Sequence, residues 1–159
     1  MTMIRKQAEN IASVLSEGLP YIQRFYGKTI VIKYGGAAMA NPSLKRGFAR
    51  DIALMKLVGM NPVIIHGGGP QIDRELKKHG LQTKFVSGFR ITDPKTMKIV
   101  RRVLGKEINR EIVDLIQKNG AKAFSMTRLN RTIIKASKLK TDDGIELGLV
   151  GKVSSIKNT

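Results

Sequence analysis

Apolar residues recur along this chain in two rhythms. In residues 4–15 they fall at Ile4, Ala8, Ile11, Ala12 and Leu15, the spacing of one face of an amphipathic helix. Gly18 and Pro20 are expected to interrupt that helix, with a further helical turn over residues 21–26. Residues 29–34 (TIVIKY) form a short β-branched run bounded by Gly27 and Gly35-Gly36, which predicts a buried strand. Asn41-Pro42-Ser43 carries helix-start chemistry. The helix it opens shows Leu44, Phe48, Ile52, Met55 and Val58 on one stripe and stops at Gly59. Residues 62–66 (PVIIH) predict a second strand, followed by Gly67-Gly68-Gly69. Pro70 suits the first turn of the next helix, which ends near His79-Gly80.

Residues 84–86 and 89–91 flank Ser87-Gly88, which predicts a small hairpin. Thr92-Asp93-Pro94 opens a long helix reaching Asn119-Gly120, with Met97, Val100, Leu104, Ile108, Ile112 and Leu115 as its apolar stripe. Residues 122–126, 133–136 and 148–156 read as strands, with a turn at Thr141-Asp142-Asp143-Gly144. The order β-α-β-α-hairpin-α-β-β-β implies an α/β fold with a parallel core. Neither an internal repeat nor a low-complexity tract nor a linker interrupts it.

Composition narrows the chemistry. The chain has 159 residues, a one-domain length with room for a real core. Cysteine is absent, which removes disulfides and thiolate chemistry, and with His66 and His79 alone no histidine metal cluster is expected. No apolar run approaches the roughly 18 residues of a membrane span. The polar-interrupted start does not read as a signal peptide, so a cytoplasmic setting is expected. The net charge of +17 invites a nucleic-acid reading. Yet the charges run from Arg5 to Lys157 without a block, and eight aromatic residues offer little for base stacking. A solvated basic surface is the preferred reading, and nucleic acid is not the expected partner.

The two glycine turns carry the chemistry. Lys33-Tyr34-Gly35-Gly36 and His66-Gly67-Gly68-Gly69-Pro70 each follow an apolar strand and feed a helix. Ligands of open α/β sheets sit at the carboxyl ends of strands. Glycine lets backbone N–H groups approach an anion, and a helix N-terminus adds partial positive charge. Lys33 is placed to reach a phosphoryl group, so the set describes a cradle for phosphate or carboxylate. Neither GxxxxGK[ST] nor GxGxxG occurs. Tight αβ turns also use glycine for purely structural reasons, and a strand-end lysine is ordinarily just solvated. Arg90, in Gly88-Phe89-Arg90-Ile91-Thr92-Asp93, could bind a carboxylate bidentately or be an ordinary surface arginine. His66 reads as packed and hydrogen-bonded, Asp73 and Glu75 as exposed, and Asn109 as a cap-like or interface polar group.

These residues, in this order, resemble the amino acid kinase family, and within it the acetylglutamate kinases of arginine biosynthesis. The resemblance rests on the two glycine turns with their strands, Phe48-Ala49-Arg50-Asp51, Gly88-Phe89-Arg90-Ile91-Thr92-Asp93, Val103-Leu104-Gly105, Asn109 and Leu147-Gly148-Leu149-Val150-Gly151. It implies a three-layer α/β sandwich with a mainly parallel central sheet. Residues 1–26 would be a helical arm and residues 27–159 the amino-terminal, substrate-binding lobe, without the carboxyl-terminal ATP-binding half. The implied reaction is transfer of the γ-phosphoryl group of ATP, with Mg²⁺ carried by the nucleotide, to the side-chain carboxylate of N-acetyl-L-glutamate. Lys33 would stabilise the transferring phosphoryl group as the catalytic residue. Gly35, Gly36, Gly67, Gly68 and Gly69 would hold phosphate and substrate oxygens, and Arg90 the α-carboxylate. The resemblance also implies homo-oligomers, dimers and arm-interlaced hexamers, with arginine as an effector. Family members run to roughly twice this length, so little turnover is expected from these residues alone. A non-catalytic anion-binding, nucleic-acid-binding or subunit-interaction module built on the lobe is the alternative. Ala37, Lys106 and the SMTRLNR segment at 125–131 depart from the family's pattern.

Overall fold

A computed structural model describes residues 2–127 and 133–157. The first helix, α1 (Thr2–Phe25), runs unbroken through Gly18 and Pro20. The expected interruption is therefore absent. Its apolar positions face solvent, with Ile4, Ile11 and Leu15 all more than half exposed. Strand β1 (Thr29–Tyr34) pairs in parallel with β2 (Asn61–His66), with Lys33 opposite Ile65 and Tyr34 opposite His66. Between them lie a short helix, α2 (Gly36–Ala40), and α3 (Pro42–Leu57). Asn41 caps α3 as its sequence implies, its side chain accepting from the N–H groups of Ser43 and Leu44. Helix α4 (Gly69–Lys78) follows the second glycine turn.

The hairpin forms from β3 (Phe85–Val86) and β4 (Phe89–Arg90). Ser87 and Gly88 both have positive φ, 49° and 79°, the twist a two-residue hairpin turn requires. Asp93 then caps α5 (Pro94–Arg102), accepting from Thr96 N–H at 2.7 Å. The long helix continues as a π-helical segment at Val103–Ile108 and then α6 (Asn109–Lys118). Its buried apolar residues are Ile99, Val103, Ile108, Ile112 and Ile116. The step from Val103 to Ile108 is five residues where an α-helix would use three or four, and the π segment absorbs it. Of the expected stripe, Ile108 and Ile112 are buried, while Val100, Leu104 and Leu115 pack half-buried against the core. Met97, Val100 and Leu104 lie to the side of the buried face.

The core packs this helix against α3 and α4. Ala49, Ile52 and Ala53 come from α3, and Ile72 and Leu76 from α4. On β1 burial alternates: Ile30, Ile32 and Tyr34 face inward, while Val31 and Lys33 face outward. Residues 122–126 form no strand. Ala121 is buried and Phe124 is 76% exposed, but no neighbouring strand pairs with this run, and the Ala123 carbonyl accepts from Gln117 Nε2 instead. Strands β5 (Ile134–Lys140) and β6 (Glu146–Ile156) form an antiparallel hairpin around the expected turn at Thr141 to Gly144. β6 docks on the start of α5, where Thr92 exchanges backbone hydrogen bonds with Leu147 and Leu149. Of the 125–131 segment, residues 128–131 lie outside the described residues. Among the described residues, no helix is long and apolar enough to cross a membrane.

Candidate functional site

The parallel register brings the ends of β1 and β2 level, so both glycine turns leave the sheet at the same edge. Gly67 N–H donates to the Tyr34 carbonyl at 3.2 Å, extending the ladder one step beyond the strands. A Cβ on Gly36 would stand 3.5 Å from the Pro70 ring, so the two turns are in contact. The glycines then divide by cause. Gly68 is buried against the long helix, and a Cβ there would come within 2.6 Å of both Ile108 Cδ1 and Leu104 Cδ2. That glycine is required by packing alone. Around Gly35, Gly67 and Gly69 the chain places nothing within 4 Å of a Cβ. Gly35 has φ −87° and ψ 165°, values open to any residue. Among the described residues neither strain nor crowding explains glycine at position 35, so the backbone there is open to the approach of an external group.

Lys33 lies one residue before the end of β1, on its outward face and exposed. The structure therefore brings Lys33, Gly35, Gly36, Gly67, Gly68 and Gly69 to one edge of the sheet, where two helix N-termini (α2 and α4) begin.

Arg90 is not an ordinary surface arginine. Its side chain is only 12% exposed and Nη1 donates to Asp73 Oδ1 at 2.6 Å and to Thr83 Oγ1 at 2.9 Å. Its guanidinium also stands 4.7 Å above the Phe85 ring. Because both polar partners engage the same nitrogen, the edge formed by Nη2 and Nε is left to present to a carboxylate. Asp73 belongs to the first half of α4, so this pair ties the hairpin to the helix that begins at the second glycine turn. The Arg90 hydrogen bond holds the Asp73 carboxyl below the usual carboxylate range. Asp73 and Glu75, expected to be exposed, are both engaged. Glu75 pairs with Lys78 and with Arg102, whose Nη2 lies 2.8 Å away, and its pKa is lowered to about 2, chiefly by Lys78 and then by Arg102. Arg102 also reaches Glu107 at 2.6 Å, so one guanidinium staples α4 to the π segment.

Behind the turns, Tyr34 stacks on Phe48 with ring centroids 3.8 Å apart, and Lys45 joins α3 to Glu111 of α6 at 2.6 Å. Burial pushes the Tyr34 phenol upward, with the Glu111 charge adding to it. His66 is hydrogen-bonded at both ring nitrogens, Nδ1 to the Gly67 carbonyl at 2.9 Å and Nε2 to Asn109 Nδ2 at 3.4 Å. Sequence reasoning read Asn109 as a cap-like or interface polar group, and its contact with His66 was not foreseen because the π segment is what turns it toward β2. An open cleft of about 1420 Å³ adjoins it, lined by His66 and Asn109 and by the basic residues Arg101, Lys106 and Arg110.

The amino acid kinase family matches residues 28–158. The chain is 53% identical over 165 residues to the acetylglutamate kinase of Hydrogenovibrio crunogenus, covering 98% of this chain and 55% of that protein. It is 55% identical over 152 residues to the acetylglutamate kinase of Ruthia magnifica subsp. Calyptogena magnifica, covering 92% and 51%. The chain thus spans about half the length of the curated relatives it matches. The N-acetylglutamate synthase of Neisseria gonorrhoeae, solved with coenzyme A and N-acetyl-glutamate, superposes with a TM-score of 0.76 at 21% identity. That match covers 91% of this chain and 32% of the synthase, and shows the fold.

Proposed function

The chain belongs to the amino acid kinase family, and from that premise we propose that it is the substrate-binding lobe of an acetylglutamate kinase. The reaction is phosphorylation of the side-chain carboxylate of N-acetyl-L-glutamate by ATP, in the cytoplasm, with Mg²⁺ entering as part of the nucleotide. The observation that carries this reading is the pair of abutting glycine turns, whose open glycines are unexplained by the chain itself. Phosphoryl transfer to a carboxylate brings two anions together and asks for positioning and charge neutralisation more than for a nucleophile. In this reading the Lys33 ammonium offsets charge on the transferring phosphoryl group. Backbone N–H groups of Gly35, Gly36, Gly67, Gly68 and Gly69 hold the oxygens of phosphate and acceptor. Arg90, pre-set by Asp73 and Thr83, takes the α-carboxylate on its remaining edge.

The division into an arm (residues 1–26) and a lobe (27–159) belongs to the same proposal. Parallel sheets ordinarily have both faces covered. Here Val31 is 68% exposed and Ile65 is 55% exposed on the outer face of the β1–β2 pair. A second layer on that face, supplied by an ATP-binding half, would bury them and bring the nucleotide to Lys33. The unpartnered α1 stripe fits a contact between copies, as dimers or larger rings, with arginine as an effector of the assembly. The test is calorimetric titration with N-acetyl-L-glutamate and, separately, with a DNA duplex at physiological salt. Saturable binding of the acyl amino acid with no comparable heat from DNA is expected. The reverse pattern would replace the kinase reading with a nucleic-acid module.

A further inference from the structure

We propose that Asn109 is a positioning residue of the second glycine turn, acting through His66 to aim the Gly68 N–H at a bound anion. The inference rests on the anion-binding reading of this site and adds the device that orients it.

The argument starts at the Gly67 carbonyl. It can only accept, so His66 Nδ1, 2.9 Å away, must carry a hydrogen. In the neutral ring Nε2 is then an acceptor, and it faces the Asn109 side-chain nitrogen at 3.4 Å. A donor at Nε2 favours the tautomer with hydrogen on Nδ1, and that tautomer is the one that holds the Gly67 carbonyl. Among the described residues no peptide bond is cis. In a planar trans peptide the carbonyl and the following N–H point in opposite directions. Fixing the Gly67 carbonyl therefore fixes the direction of the Gly68 N–H. Gly67 is held at its other end as well, by its own N–H on the Tyr34 carbonyl.

Asn109 reaches His66 because of the π segment. One extra residue in a helix rotates everything beyond it by about 100°. The five-residue step from Val103 to Ile108 supplies that rotation immediately before Asn109. The same segment sets Leu104 and Ile108 against Gly68. Among the described residues the Asn109 side chain makes one hydrogen bond, to His66, and that bond is what this side chain contributes.

The experiment uses the 159-residue chain, with inorganic phosphate as the anion probe. Imidazole ¹⁵N resonances, recorded at alkaline pH, report which nitrogen carries hydrogen. The parent should show hydrogen on Nδ1 and a bare Nε2. Asn109→Ala should shift the ring toward the Nε2–H form and weaken phosphate binding about twofold to tenfold, the worth of one hydrogen bond. Asn109→Asp keeps the side chain's size but offers Nε2 only acceptors. It should protonate Nε2 even if the alanine variant fails to fold. An unchanged ring in the variants, or an altered ring with unchanged phosphate affinity, overturns the proposal, as does a parent that takes no phosphate. N-acetyl-L-glutamate titrated in parallel separates the two claims. A parent that binds phosphate but not the acyl amino acid sinks the kinase reading and leaves Asn109 to be judged by its variants.

Discussion

At the residue scale, glycines that look alike in sequence have different reasons to be glycine, and the reasons predict different mutants. At Gly35 a methyl group meets no atom within 4 Å and the backbone angles are ordinary. Gly35→Ala should change stability by no more than about 0.5 kcal/mol while weakening N-acetyl-L-glutamate or phosphate binding. At Gly68 the same methyl meets two side-chain ends in the core, so Gly68→Ala should cost about 1–3 kcal/mol by overpacking. Gly148 combines φ 73° with a Cβ position 2.3 Å from the Thr92 carbonyl oxygen, and backbone yields less readily than a side chain. Gly148→Ala should cost more than Gly68→Ala. Urea unfolding of the three variants beside a ligand titration checks all of this. A second residue-scale prediction concerns Glu75. Its carboxyl titrates near 2 in the folded chain against an ordinary 4.5. A lowered carboxylate pKa stabilises the fold above the ordinary value, and that contribution is lost as pH falls from about 4.5 toward 2. Melting temperature measured across that interval should fall less steeply for Glu75→Gln than for the parent. Equal slopes would mean that the Lys78 and Arg102 pairs do not hold in solution.

At the scale of elements, what could be read in advance was what local chemistry dictates. The β-branched run of β1, the Asn41 and Asp93 caps and the Ser87-Gly88 turn each depend on a few adjacent residues, and each is found. Apart from the break expected at Gly18 and Pro20, through which α1 runs on, what failed depends on distant partners. Residues 122–126 read as a strand but pair with no strand among the described residues. The long helix has apolar residues on more than one side, so a regular period chose Met97, Val100 and Leu104 over the buried Ile99 and Val103. Only packing against α3 and α4 reveals the π segment. The site shows the same division. Lys33 and the glycines stood out as candidates because strand ends and turns announce them, whereas Arg90 read as an ordinary surface arginine until the resemblance singled it out. Asp73 as the partner of Arg90, and Asn109 as the partner of His66, were not, because those contacts span 17 and 43 residues. Helix α1 was legible as an amphipathic element, and its exposed stripe sets a prediction. Burying Ile11 and Leu15 is worth roughly 1.5–3 kcal/mol each, enough to shift an association by orders of magnitude. Substituting both with Asp should lower the oligomer size seen by light scattering. If parent and double variant have the same size, the stripe is not an assembly surface.

At the scale of the whole molecule, the chain is an α/β lobe whose two glycine turns and one lysine stand along one sheet edge, with Arg90 tied through Asp73 to the helix that begins at the second turn. Its second sheet face and its first helix are left uncovered. That asymmetry is what a substrate-binding half would show, and the substrate side of the account can be tested on this chain directly. The account requires Arg90 to take a carboxylate. Losing a charge-assisted, bidentate hydrogen-bonded pair costs about 1.5–3 kcal/mol, or tenfold to a hundredfold in affinity. The decisive measurement is calorimetric titration of N-acetyl-L-glutamate into the parent and into Arg90→Ala, with thermal unfolding recorded to show that both are folded. The account predicts saturable binding to the parent, weakened tenfold to a hundredfold in the variant. Equal affinity in two folded proteins, or no binding to a folded parent, would contradict it.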